Sequence, residues 1–96
     1  MERMITTYKL NGEQMTVFMP KEIDHHVSTM LSKEIDFLVD THGVRELLVD
    51  FEGTEFMDSS GIGVIIGRSR VMQFRGGRIC VSHLNKRVEM IFHSAI

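Results

Sequence analysis

A chain of 96 residues, 43% apolar and 25% charged, fits one globular domain that buries roughly 60–70% of its surface, which excludes a disordered tail or a fibre. Cys80 is the only cysteine, so an intrachain disulfide is excluded and a thiolate metal site has too few ligands, as in a reducing compartment. The net charge of −2 conceals an asymmetry: residues 1–58 carry 12 acids and 5 bases, whereas residues 59–96 set six bases against Glu89 alone.

In chain order, Met1-Glu2-Arg3-Met4 lacks the apolar stretch of a secretory signal, and no window approaches the roughly 20 apolar residues of a membrane span. A cytoplasmic protein without membrane contact is the expectation. Segments 6–10 and 14–19 read as two strands joined at Asn11-Gly12, a pair that supplies the positive φ of a tight hairpin turn. Within the second strand Met15, Val17 and Met19 alternate with Thr16 and Phe18, as a half-buried strand should. Asp24 is placed to cap a helix, because its carboxylate accepts from free backbone N–H groups. Val27, Met30, Leu31, Ile35, Leu38 and Val39 then recur at three- and four-residue spacing until Gly43.

Leu47-Leu48-Val49 with Phe51 predicts a short strand buried on both faces. A second helix is predicted over 60–74, with Ile62, Ile65, Ile66 and Met72 inward, Arg68, Arg70 and Arg75 outward, and Gly76-Gly77 at its end. Ile79-Cys80-Val81 reads as another buried strand, and Val88, Ile91, Phe92 and Ala95 mark a last amphipathic helix. The six bases, Arg68, Arg70, Arg75, Arg78, Lys86 and Arg87, read as a solvated face. Nucleic-acid binding interleaves bases with exposed aromatics, and only Phe74 lies near them, so no direct nucleic-acid contact is expected.

The order ββαβαβα, without a repeat or a domain boundary, predicts an α/β single domain. Its sheet is mixed, mostly parallel and four-stranded, starts with a β-hairpin and has helices packed on it. In such sheets partners meet the loops at the carboxyl ends of the parallel strands. Two loops qualify, 21–24 and 52–60.

The second of these carries Phe56-Met57-Asp58-Ser59-Ser60-Gly61-Ile62-Gly63. A serine hydrolase is disfavoured, since Met57 and Asp58 stand where a nucleophile elbow has its first glycine. Asp24, His25, His26 and Asp58 offer metal-ligand chemistry, but adjacent histidines at a helix start point apart and the i, i+4 ligand pair is missing, so no metal is expected. Gly61, Gly63 and Gly67 are wrongly spaced for a dinucleotide loop, and no acid between Asp58 and Glu89 could hold a ribose; no cofactor is expected. Ser59 and Ser60 remain either simple helix caps or caps of which one can be modified. A phosphate there would meet unpaired N–H groups and the positive helix end.

Glu22-Ile23-Asp24-His25-His26 together with the Phe56–Ile65 run, Gly76-Gly77 and the closing strand resembles the STAS domain, in its anti-sigma factor antagonist branch, over nearly the whole of residues 1–96. The Met-Asp-Ser-Ser-Gly-Ile-Gly run is the specific part. The resemblance implies a non-enzymatic switch in transcription regulation during sporulation, working by partner switching between an anti-sigma factor and its sigma factor. Ser59, the first serine of the pair, would be phosphorylated, and Asp24, Asp58, Ser59, Ser60, Gly61 and Ile62 would bind the partner. That partner would be an anti-sigma factor serine kinase, resembling stage II sporulation protein AB. Unmodified protein binds it and frees the sigma factor; phosphorylated protein does not bind, and a serine phosphatase resembling stage II sporulation protein E resets the system. The family usually continues with one more strand and a final helix, which this sequence lacks. Two other readings are a STAS scaffold within a larger assembly and a nucleotide-binding module.

Overall fold

The computed structural model describes residues 4–95. Its elements are β1 (Thr7–Asn11), β2 (Gln14–Phe18), β3 (Glu22–Ile23), α1 (His25–His42), β4 (Glu46–Asp50), β5 (Phe56–Met57), α2 (Ser60–Phe74), β6 (Arg78–Ser82) and α3 (Lys86–Ala95). The main sheet runs β1-β2-β4-β6, antiparallel in the first pair and parallel in the other two. The expected mixed four-stranded architecture with three helices is thus present, with one addition. β3 and β5, only two residues each, form a separate parallel pair.

Asn11 pairs with Gln14, so the hairpin turn is Gly12-Glu13, one residue beyond the expected Asn11-Gly12, and Gly12 supplies its φ of 61°. Core burial sets this register. Met15 and Val17 are fully buried, and a slip of one residue would turn both to the other face.

Paired positions share a face, which puts Met15, Val17, Leu47 and Val49 together in the core. The opposite face carries Thr16, Phe18 and Leu48, all half-buried, and the exposed Cys80. Neither β4 nor β6 is therefore buried on both faces as expected: β4 has one covered face, and β6 is the edge of the sheet among the described residues, where even Ile79 and Val81 are only half-buried.

Asp24 caps α1 as expected, its Oδ1 accepting from Val27 N–H at 2.9 Å, and Gly43 ends the helix in the left-handed conformation. Leu31, Ile35, Leu38 and Val39 are buried beneath it. Each such side chain contributes about 1.5–3 kcal/mol, more than the roughly 1 kcal/mol of a cap, so burial decides that this helix forms while the cap decides where it starts.

The inner stripe of α2 differs from expectation. Gly61, Ile62, Val64 and Met72 are buried, whereas Ile66 is 50% exposed. At 100° per residue the buried arc centres on the row Gly61, Ile65, Arg68 and Met72, which leaves Ile66 outside it. Arg68 falls within it: its side chain is only 11% exposed, and Nε lies 2.8 Å from Asp36 Oδ1 on α1. Arg75 reaches Asp40 and Arg78 reaches Glu46. The charge asymmetry along the chain is thus partly offset in space, across the α1–α2 and β4–β6 contacts.

In α3, Val88 is fully buried and Ile91 half-buried; the side chains of Phe92 and Ala95, also expected on its inner face, lie outside the described residues. Asn85 caps this helix, with Oδ1 accepting from Val88 N–H at 2.9 Å, while its Nδ2 donates to Thr54 O at 2.6 Å. Among the described residues no helix is long and apolar enough to cross a membrane.

Candidate functional site

β2 and β4 are neighbours and parallel, so the loops that follow them emerge side by side. The β3–β5 pair then joins them: Glu55 and Phe56 N–H groups donate to Lys21 O at 2.8 and 3.1 Å, and Asp58 N–H donates to Ile23 O at 3.1 Å. Thr54, almost fully buried, adds its hydroxyl to Pro20 O at 2.8 Å. Asp24 and Asp58 are each the residue that follows one of these two short strands. Sequence periodicity missed β3 and β5 because two residues carry no period; Ile23 between two acids and the pair Phe56-Met57 between Glu55 and Asp58 were the available signal, with Ile23 and Met57 both buried.

Asp58, half-buried, organises the start of α2. Its Oδ1 accepts from Ser60 N–H at 2.9 Å and from the Ser60 hydroxyl. These two bonds hold the Asp58 carboxyl below its ordinary pKa, the hydroxyl contributing most and the N–H next, with a smaller contribution from nearby His25; partial burial opposes them. A depressed folded pKa contributes stability in full above the ordinary value of 3.8, and that stability is lost as pH falls through the lowered value. Asp58→Asn is accordingly expected to melt below the parent at neutral pH, with the difference closing in acid; parallel melting curves between about pH 2 and 6 check it.

Ser59 stands at the helix entrance with φ −63° and ψ −16°, is exposed, and makes no side-chain capping bond. The expectation that the paired serines cap α2 by their hydroxyls is corrected: the Asp58 carboxylate does so. The expected unpaired N–H groups are also taken. Ser60 N–H goes to Asp58 Oδ1, Gly61 N–H to Asp58 O and Ile62 N–H to Ser59 O. A phosphate on Ser59 therefore meets the field of the helix end with the Ser60, Gly61 and Ile62 N–H groups already paired.

Ser60 is half-buried, and its Oγ also lies 2.9 Å from the hydroxyl of Ser28 on α1. Gly61 is buried where an added Cβ would meet Met57 Cγ at 2.5 Å, and Ile62 is 4% exposed. Of the six residues expected at the partner surface, Asp24, Asp58, Ser59 and Ser60 are thus gathered at the joined loops. Gly61 and Ile62 instead pack inward and support that surface from beneath. The set Asp24, His25, His26 and Asp58 does not converge as a metal-ligand group among the described residues; the three residues that do converge are Asp50, Glu52 and His83. There the Asp50 carboxylate already accepts from Glu52 N–H at 2.8 Å and faces His83 Nδ1 at 2.9 Å.

A family model described as the STAS domain matches residues 5–96. The anti-sigma F factor antagonist of Paenibacillus polymyxa is 33% identical over 70 residues, which cover 73% of this chain and 60% of that protein. The chain spans about three fifths of the length of the curated relatives it matches. The structure of the anti-sigma factor antagonist SpoIIAA in its unphosphorylated form superposes with a TM-score of 0.83 at 25% identity, covering 94% of this chain and 79% of that one. The Bacillus cell fate determinant SpoIIAA in the phosphorylated form gives 0.76 at 24% identity, covering 94% and 82%.

Proposed function

The chain belongs to the STAS domain family, and we propose from that premise that it is an anti-sigma factor antagonist, switched by phosphorylation of Ser59. Unmodified protein binds an anti-sigma factor that is also an ATP-dependent serine kinase and so frees the sigma factor. The modified protein does not bind, and a serine phosphatase returns it to the binding state. The chain is a cytoplasmic substrate and switch rather than an enzyme. Relatives named anti-sigma F factor antagonist, and the likeness to SpoIIAA, support this reading.

The observation that carries it is the contrast between two adjacent hydroxyls. Ser59 is exposed and has no capping bond, while Ser60 is bound to both Asp58 and Ser28. Only Ser59 offers a hydroxyl oxygen that a kinase can approach without first breaking the loop. A phosphate adds about −1.5 to −2 charge at neutral pH, next to the carboxylate of Asp58. In the free domain that charge faces water, and the positive helix end offsets part of the repulsion. At a packed interface it has to be desolvated, which accounts for loss of binding without a change of fold.

Incubation with ATP and the anti-sigma kinase of the same genome, followed by mass-spectrometric mapping, tests the assignment. Phosphate on Ser59 with loss of kinase binding is the expected result; phosphate on a different residue, or none from an active kinase, overturns it.

A further inference from the structure

Ser28 lies in the second turn of α1, outside the Asp58–Gly63 run, and is 6% exposed. Its hydroxyl nevertheless lies 2.9 Å from that of Ser60. A serine hydroxyl has one proton, and an ionised carboxylate only accepts. Ser60 gives its proton to Asp58 Oδ1, so the proton shared between the two serines comes from Ser28. The chain of donation runs Ser28 to Ser60 to Asp58. It occupies the proton and one lone pair of Ser60, and each bond polarises the next.

We propose that Ser28 is a positioning residue that decides which hydroxyl of the Ser59-Ser60 pair is open to a serine kinase; the inference rests on Ser59 being the modified residue. In the transfer, the acceptor oxygen bonds to the γ-phosphorus of ATP and the bond from that phosphorus to the β–γ bridging oxygen breaks. ADP leaves, and the hydroxyl proton passes to a base of the kinase. Ser60 is the poorer acceptor, because its proton is held by Asp58 and one of its two lone pairs is taken by Ser28, whereas Ser59 has no capping bond to break. An open groove of about 310 Å³ between the amino halves of α1 and α2, lined by His25, Ser28 and Ser60 among others, gives Ser60 room to turn once Ser28 no longer donates.

Ser28→Ala removes the donor at almost constant volume. Two measurements on the full chain test it. By NMR, the titration midpoint of the Asp58 carboxyl is expected to rise in Ser28→Ala, because the Ser60 hydroxyl, the largest influence holding it down, is no longer polarised by a bond from Ser28. By mass spectrometry after treatment with ATP and the anti-sigma kinase, the share of phosphate on Ser60 is expected to rise about fivefold, the equivalent of one net hydrogen bond. An unchanged Asp58 midpoint overturns the proposal whatever the kinase does. An unchanged Ser60 share, in a protein still modified on Ser59, overturns it as well. Phosphate on neither serine of the unaltered chain removes the reading of Ser59 on which the proposal rests, and the proposal falls with it.

Discussion

Ser59→Asp is expected to weaken binding to the anti-sigma kinase by at least about 100-fold, since a charge left unpaired in a packed interface costs about 3 kcal/mol or more and each 1.4 kcal/mol is a factor of ten. The phosphate itself is expected to reach about 10⁴-fold, the factor that carries a two-state equilibrium from nearly complete to nearly absent, because it adds more charge than a carboxylate. Melting temperature is the control that gives this prediction its meaning. The side chain of Ser59 is exposed and caps nothing, so Ser59→Ala and Ser59→Asp should both melt close to the parent, and Ser59→Ala should bind the kinase while taking no phosphate. Calorimetric titration against the kinase and thermal melts of all three proteins check this. A loss of binding accompanied by a large fall in melting temperature would instead make Ser59 a structural residue.

The second large effect is on stability. At the end of α2, Gly76 adopts a φ of 73°, its N–H bonds to Gln73 O at 3.0 Å, and Gly77 N–H bonds to Met72 O at 2.7 Å, the pair of bonds that closes a helix in a Schellman motif. Gly77 then passes against the backbone of β4's approach. A Cβ on it would collide with the Arg45 carbonyl oxygen and lie 3.1 Å from the Arg45 carbonyl carbon and 2.9 Å from Met72 Cε. That carbonyl oxygen also accepts from Arg78 N–H at 2.9 Å as β6 joins the sheet, so it cannot withdraw without loosening the edge strand. Gly77→Ala is expected to cost about 3 kcal/mol, at the upper end of overpacking penalties.

Gly63→Ala is the matched comparison. Gly63 lies on the exposed side of α2 with open space where its Cβ would go, and alanine in a helix interior is favoured by about 0.5–1 kcal/mol over glycine. The same substitution should therefore raise stability at one glycine and lower it at the other. Chemical denaturation of the two variants reads both signs directly.

Much of the fold was legible in the residues. The hydrophobic spacing of α1 and the alternation of β2 identified the core faces, since burial and period are set by the same geometry. Legibility failed where a period gives no signal or two. Apolar residues are spread so evenly round α2 that its pattern fits more than one inner arc, and packing against α1 chose the arc that buries Val64 and leaves Ile66 in water. The run Ile79-Cys80-Val81 resembles a central strand until the sheet order makes it the edge.

The candidate site divides in the same way. Local chemistry along the chain was sufficient to single out Asp24 as a helix cap and the Phe56–Gly63 run as the informative loop, while the choice of Ser59 over Ser60 came from the family resemblance alone. Properties that depend on separations of about thirty residues were not available from it. The joining of the two loops by β3 and β5 and the contact of Ser28 with Ser60 exist only in the folded chain. The physical reason is that a hydroxyl takes whichever partner geometry brings within about 3 Å. For Ser60 these partners are Asp58 beside it in sequence and Ser28 from another helix. A local bond to Asp58 and a tertiary contact with Ser28 together set Ser60 apart from its exposed neighbour Ser59.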